Sequence, residues 1–235
     1  MYCLDVFSPS SRGRLTVRDL ERFRGHTLFD RLARAVCRAG CLPRKELYEA
    51  WEMARRVRRR LRGGRIVDLG GGHGLLAQAM LIVDDSSPNA IVVDKLLPAS
   101  SGMLHKVLVE EWPRLAGRIA FVTASLDEVD LGPDDVVVSS HACGALTDRV
   151  LERAAAAGTR VAVLPCCHEL RAPAHTEARA LAGWVDGALA IDTVRAIRLQ
   201  QQGYRVWTQT IPAEITPKNR LLIAERSDQR PTTND

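Results

Sequence analysis

Five short, almost wholly apolar runs, at residues 65–69, 90–94, 119–123, 135–139 and 160–164, alternate along the middle of this chain with segments of helical periodicity, and that alternation limits the possible folds more than any other feature. Helices are predicted over 75–82, 103–111, 148–157 and 191–202, the last stopped by Gly203. Strands apolar on both sides must be covered on both faces, which is the condition of a parallel sheet wrapped by helices. The pattern changes near the end. Runs 204–211 and 219–225 read as strands with no helix between them, so an antiparallel hairpin at the sheet edge is the simplest prediction. The expected fold is α/β: a doubly wound, mostly parallel, seven-stranded sheet ending in an antiparallel hairpin.

Two helices are predicted ahead of the first strand. Leu20, Phe23, Leu28, Phe29, Leu32 and Val36 recur at three- and four-residue steps. After Gly40 and Pro43, a second stripe runs through Leu47, Tyr48, Trp51, Ala54, Val57 and Leu61. Tyr48 and Trp51 are expected to pack in the core. The chain thus divides into an arm and two-helix segment over 1–62, a sheet domain over 63–226 and a polar tail over 227–235. Its 235 residues, 46% of them hydrophobic, suffice for one sizeable core. No apolar run reaches the roughly 18 residues of a membrane span, and the first residues lack the apolar stretch of a secretory signal. A cytoplasmic protein with no membrane contact is expected, with Cys3, Cys37, Cys41, Cys143, Cys166 and Cys167 as reduced thiols.

The most informative loop is Asp68-Leu69-Gly70-Gly71-Gly72-His73-Gly74, at the carboxyl end of the first strand and opening a helix. In an open α/β sheet, ligands bind in the crevice at that end. Glycines there permit positive φ and let a ligand approach the backbone without meeting a Cβ. Asp94 ends the second strand, 26 residues after Asp68, where a carboxylate can accept both hydroxyls of a ribose. Asp68 can order the loop amides and also meet a ligand ammonium group. Nucleotide-phosphate loops use G-x-G-x-x-G, with a helix N-terminus facing the pyrophosphate; the spacing here is D-x-G-x-G-x-G.

That form resembles the first motif of the class I S-adenosylmethionine-dependent methyltransferases. The resemblance implies a Rossmann-like sheet, S-adenosylmethionine as cofactor and a ribose-binding role for Asp94. It also implies that Ala124, Ser125 and Leu126, after the third strand, flank the adenine. Asp68, Gly70, Gly71, Gly72, Gly74, Asp94, Lys95, Ala124, Ser125, Leu126, Ser140 and His141 are the expected cofactor-binding residues.

Two further segments end strands that open onto the same crevice. His141-Ala142-Cys143-Gly144-Ala145-Leu146-Thr147-Asp148 follows the fourth strand, and Pro165-Cys166-Cys167-His168 follows the fifth. His141, Cys143, Cys166, Cys167 and His168 are the candidate catalytic residues, because polar and thiol groups converging where a methyl group is delivered are where chemistry is expected. These segments resemble the HxCGxxTD and CCH signatures of a superfamily that contains the tRNA 2′-O-methyltransferases of the Trm13 type and methyltransferase-like proteins. Thr216 to Leu222 resembles its terminal segment. The residue after His141 is Ala where the pattern has Leu, and the N-terminal segment shows none of the Cys/His zinc-finger spacing of the tRNA enzymes. The resemblance implies fold and cofactor more than it implies a tRNA acceptor.

The residues leave two chemistries open for the His/Cys group. A histidine can position or deprotonate a nucleophile; alternatively the thiols and a histidine bind zinc. Adjacent cysteines lack the usual C-x₂-C bite, so no metal is expected, and buried thiols packing as small hydrophobes are the plainer reading. His26, His73 and His105 are expected in ordinary polar roles.

Net charge is +5, and Arg55, Arg56, Arg58, Arg59, Arg60, Arg62 and Arg65 fall within eleven residues. Such a cluster can meet RNA phosphates or form a solvated helix face. Arg56, Arg59 and Arg60, with Lys218, Asn219 and Arg220 at the hairpin turn, are the expected substrate-binding residues. The methyl acceptor and the oligomeric state are not set by the sequence. The functions it admits are methyl transfer to RNA such as tRNA, methyl transfer to a protein side chain or small molecule, and a catalytically silent cofactor-binding scaffold.

Overall fold

The computed structural model describes residues 7–140 and 142–227, so Cys3, His141 and nearly all of the expected tail lie outside the described residues. The chain runs α1 (Leu28–Ala39), α2 (Arg44–Val57), β1 (Ile66–Leu69), α3 (Leu75–Val83), β2 (Ala90–Asp94), α4 (Ser101–Glu111) and β3 (Ile119–Thr123). It continues with β4 (Val136–Ser139), α5 (Ala145–Ala157), β5 (Arg160–Val163), α6 (Thr176–Leu181), α7 (Gly187–Gln201), β6 (Tyr204–Thr210) and β7 (Arg220–Arg226). The seven strands form one sheet in the order β3-β2-β1-β4-β5-β7-β6. β1 to β5 are parallel, and β7 runs antiparallel to both β5 and β6. This is the predicted doubly wound sheet with its terminal hairpin, the seven-stranded Rossmann-like arrangement.

Period-two alternation sorts the strand side chains into two layers. Ile66, Val136 and Val138 join a core with α1 to α4, while Val67, Leu69 and Val137 join a second core with α5, α7 and Tyr204. Leu32, Val36, Leu47, Met53 and Val57, from the two helices ahead of the sheet, share the first of these cores with Leu76, Leu104 and Ile223. Tyr48 and Trp51 pack on Phe29, at ring-centroid distances of 5.1 and 5.3 Å.

Local chemistry moved several boundaries. The first helical stripe is broken: a 3₁₀ turn at Val17–Arg22 precedes α1, because Thr27 caps α1 in a reciprocal box with Asp30. The second helix ends at Val57, short of Leu61. α6 was not legible in the polar stretch after Pro173. β3 is an edge strand with Ala120, Val122 and Thr123 exposed; its apolar composition predicted burial that its position denies it. No helix among the described residues is long and apolar enough to cross a membrane.

Candidate functional site

Leu69 to Gly74 turns the chain out of β1 and into α3 against the tip of β2. Gly70 and Gly71 donate their amides to the Val93 carbonyl at 2.8 and 3.2 Å, and Gly72 donates to Asp94 Oδ2 at 3.0 Å. Gly70 and Gly72 stand at φ of +69° and +51°; among the described residues, no atom outside the adjoining chain lies within 3.8 Å of a Cβ built at Gly70, and none within 4 Å at Gly72. Those two positions leave open space above the backbone. Gly71 needs its hydrogen for the opposite reason: a Cβ there would lie 2.8 Å from Asp68 Cγ and Val92 Cγ1.

Above this loop lies a cavity of about 390 Å³. Gly70, Gly71, Gly72, Asp94, Lys95, Ala124, Leu126 and Ser140 line it, all of them expected from the sequence. Asp68, Gly74 and Ser125 stand behind that wall. Gly74 is the N-cap of α3, and Ser125 closes a capping box with Glu128 over the short turn that presents Leu126. The parallel register pairs Asp94 with Thr123, which sets Ala124 beside the carboxylate. Not foreseen were Glu46 and Ala50, from the first half of α2, and His73, Leu76, Ala142 and Leu146. Only the packing of α2 on α3 brings that helix over the crevice, so no local signal marked Glu46.

The electrostatics are acidic, although the chain is basic overall. Asp94 also accepts from the Leu96 amide at 3.2 Å, and each carboxylate oxygen retains further acceptor capacity. Burial, reinforced by Glu49, raises the Glu46 carboxyl above its ordinary range. Asp68 is fully buried beneath the loop; Oδ2 accepts from the Ala77 amide at 3.3 Å, and Oδ1 has no partner among the described residues. Burial pushes its pKa up to about 7 against that amide, and Asp94 adds to the rise. The first turn of α3 is thus already faced by a carboxylate. A pyrophosphate docked there would meet like charge, whereas a cationic ligand would find an unsatisfied acceptor.

The β4–α5 loop is braced from below. Ser139 donates to the Leu69 carbonyl at 2.6 Å and accepts from the Ala142 amide at 3.2 Å. Thr147 donates to the Ala142 carbonyl. Asp148 receives Arg195 through both carboxylate oxygens, at 2.8 and 2.9 Å, and His175 at 3.1 Å. Gly144 adopts a φ of +60° that the sharp turn into α5 requires. The Gly, Thr and Asp of the HACGALTD segment therefore shape this loop.

The structure brings Cys143, Cys166 and Cys167 together, their sulfurs all within 4.8 Å of one another. His168, next in the chain to Cys167, has its Nε2 2.8 Å from Asp192 on α7. Arg220 meets the same Asp192 at 2.6 Å. Asn219 closes the hairpin turn by donating to the Ile211 carbonyl at 2.9 Å, and Lys218 is exposed with its amide on Thr216. His73 pairs with Ser100 and His105 with Gln78.

The arginine cluster sits at the opposite end of the sheet. α2 carries Glu46 at the cavity and Arg56 ten residues further along, about 15 Å at 1.5 Å per residue. Five of the seven have a carboxylate partner, two of them shared: Arg55 and Arg56 meet Glu52, Arg58 and Arg62 meet Asp84, and Arg65 meets Asp135. Arg59 and Arg60 are exposed, the latter 5.3 Å from the Trp207 ring centre.

Solved structures confirm the architecture. An O-methyltransferase family protein from Burkholderia thailandensis superposes with a TM-score of 0.53 at 20% identity, over 92% of this chain and 64% of its own. The S-adenosylmethionine-dependent methyltransferase SibL, in its apo form, superposes with a TM-score of 0.51 at 19% identity, over 91% and 66%. At such identities the likeness is one of fold, and this chain spans slightly less than two thirds of either length. No curated protein matches the sequence. A family described as "Methyltransferase domain" matches residues 45–173, from the start of α2 through the paired cysteines. That match takes in the glycine loop, Asp94 and both strand-end segments over more than half the chain, and the protein belongs to this methyltransferase family.

Proposed function

We propose that the protein transfers the methyl group of S-adenosylmethionine, bound in the cavity above the glycine loop. One observation carries the reading: among the described residues, Gly70 and Gly72 floor an open cavity flanked by Asp94 and Glu46 and underlain by the unpartnered Asp68 Oδ1. The acid of Asp94 grips the ribose hydroxyls, Ala124 and Leu126 supply an apolar wall for the adenine, and Asp68 balances the ligand ammonium group. When bound, the cofactor supplies an electrophilic sulfonium methyl. The chain's own contribution is to hold the acceptor in line with that methyl and keep the cleft acidic enough to favour a cation. His141 lies in the chain between Ser140 and Ala142, both of which line the cavity, and we assign it to orient the acceptor nucleophile. His168, anchored on Asp192, is a positioning residue for the cysteine loop.

For the acceptor we propose RNA, such as tRNA. The support is the net positive charge, the resemblance to the Trm13-type enzymes, and exposed Arg59 and Arg60, which have no carboxylate partner among the described residues. With those arginines about 15–20 Å from the cavity along α2, an RNA would have to extend several nucleotides beyond the methylated one to reach them. Calorimetry with S-adenosylmethionine and its demethylated product tests the cofactor, and an absence of binding would refute it. Tritium-methyl transfer to fractionated cell extract then tests the acceptor. Label in RNA, lost steeply as salt rises and in the Arg59→Ala/Arg60→Ala chain, is expected. Label in protein or small molecules would move the acceptor to that class, and cofactor binding with no transfer to any fraction would leave a scaffold.

A further inference from the structure

We propose that Cys143, Cys166 and Cys167 form a Zn²⁺-binding site that clips the β4–α5 loop to the loop after β5, at the edge of the cavity. The inference does not rest on the cofactor reading. Adjacent cysteines alone argue against a metal, because they lack the two-residue spacer of common zinc motifs. The fold removes that objection by bringing a third sulfur from another strand end, 23 residues away in sequence.

The geometry is close to what an ion requires. Four sulfurs at about 2.3 Å around a tetrahedral zinc lie roughly 3.7–3.8 Å apart. Cys166 and Cys167 are 3.7 Å apart, Cys143 and Cys166 are 2.6 Å apart, and all three sulfurs fall within 4.8 Å of one another. Binding would open the Cys143–Cys166 pair by about 1 Å, within the compliance of one side-chain rotation. The donor set is sulfur alone, a composition that selects Zn²⁺ or other thiophilic ions over Mg²⁺ or Ca²⁺.

Both loops are held in place before any ion arrives. Thr147 and Arg195 fix the Cys143 turn through the Ala142 and Gly144 carbonyls. Pro165 is buried on one side of the cysteine pair, and His168 is anchored to Asp192 on the other. Supporting contacts of this kind orient metal ligands and reduce the ordering cost of binding. Cys143 and Cys167 are exposed, so an ion can reach them. Three thiolates this close repel one another unless a cation sits among them, which is the charge a dication supplies. With three protein sulfurs, the fourth position of a tetrahedral ion goes to water or an incoming ligand.

The test uses the full chain, reduced and stripped of metal with a chelator, titrated with Co²⁺ as a spectroscopic stand-in and then with Zn²⁺. One equivalent per chain is expected, with a sulfur-to-cobalt charge-transfer band in the near ultraviolet that Zn²⁺ abolishes. Cys143→Ser and Cys166→Ser should each weaken zinc binding at least about tenfold, while Cys41→Ser leaves it unchanged. If the serine variants do not fold, alkylation of the wild type decides. Zinc should shield Cys143, Cys166 and Cys167 from iodoacetamide without changing Cys41. An absent charge-transfer band, equal alkylation with and without zinc, or equal affinity in variants and wild type would overturn the proposal. So would a reduced chain that takes up no zinc but reoxidises to a Cys143–Cys166 disulfide, two mass units lighter.

Discussion

Replacing Asp68 by asparagine tests both the cofactor cradle and the electrostatics beneath it. The carboxyl titrates near 4 in an unfolded chain, and burial holds it at about 7 in the fold. A folded pKa above the unfolded value means that the native chain keeps a proton the unfolded chain releases. Stability is therefore full below about pH 4, falls as pH rises toward 7, and is level above that. Three pH units at 1.36 kcal/mol each make the penalty about 4 kcal/mol at pH 8. Asparagine escapes it. Burying the amide costs about 1–3 kcal/mol, but equally at every pH, so the change with pH is the clean readout. Between pH 5 and 8 the variant should gain about 2–3 kcal/mol on wild type, a relative rise in Tm of about 4–12 °C for a chain of this size. Scanning calorimetry at the two pH values measures it. The same change removes the acceptor for the ligand ammonium, so S-adenosylmethionine affinity should fall by about 1–3 kcal/mol, or roughly 5- to 150-fold. Wild-type affinity should tighten as pH rises through 7, because a cation favours the ionised carboxylate; the variant's should stay flat. A Tm difference independent of pH would refute the buried-acid argument, and unchanged affinity would refute the ligand role.

Other perturbations separate floor, wall and scaffold. Asp94→Ala should weaken S-adenosylmethionine binding by about 1–3 kcal/mol in calorimetry; an unchanged Kd would mean the ribose lies elsewhere. Gly72→Ala adds a methyl to open space and should fold, at a strain cost of about 1 kcal/mol, yet bind cofactor poorly. Gly74→Ala places its Cβ 2.8 Å from Val92 and 3.0 Å from Phe121, so it should lose stability itself; thermal melts and binding isotherms together distinguish the two. His141→Ala should lower kcat without changing the cofactor Kd, and a loss of cofactor affinity instead would reassign the residue. Arg58→Ala should cost about 3–5 kcal/mol in denaturant unfolding, because it strips a buried guanidinium from Asp84, 2.7 Å away. A loss under 1 kcal/mol would mean Arg62 alone satisfies that carboxylate.

The alternation of strands with helices, the terminal hairpin and the glycine bend were legible in the chain because each depends on local chemistry: side-chain period, turn residues and the φ angles that glycine permits. For the same reason Gly70, Gly72 and Asp94 could be placed in one crevice, since a parallel sheet sets its strand tips side by side. The arginines show the limit. Seven in eleven residues read as a basic surface, yet Asp84, 22 to 26 residues onward, pairs with both Arg58 and Arg62, and Asp135, 70 residues onward, pairs with Arg65. The charge a surface presents is a sum over neighbours in space, and spacing along the chain does not contain it. Glu46 reaches the cavity only because α2 packs over α3, and β3 is half exposed only because nothing lies beyond it in the sheet. The meeting of Cys143 with Cys166 and Cys167 likewise belongs to the fold, where two strand tips converge. Local conformation was written in the residues; which distant groups share a site was decided by packing.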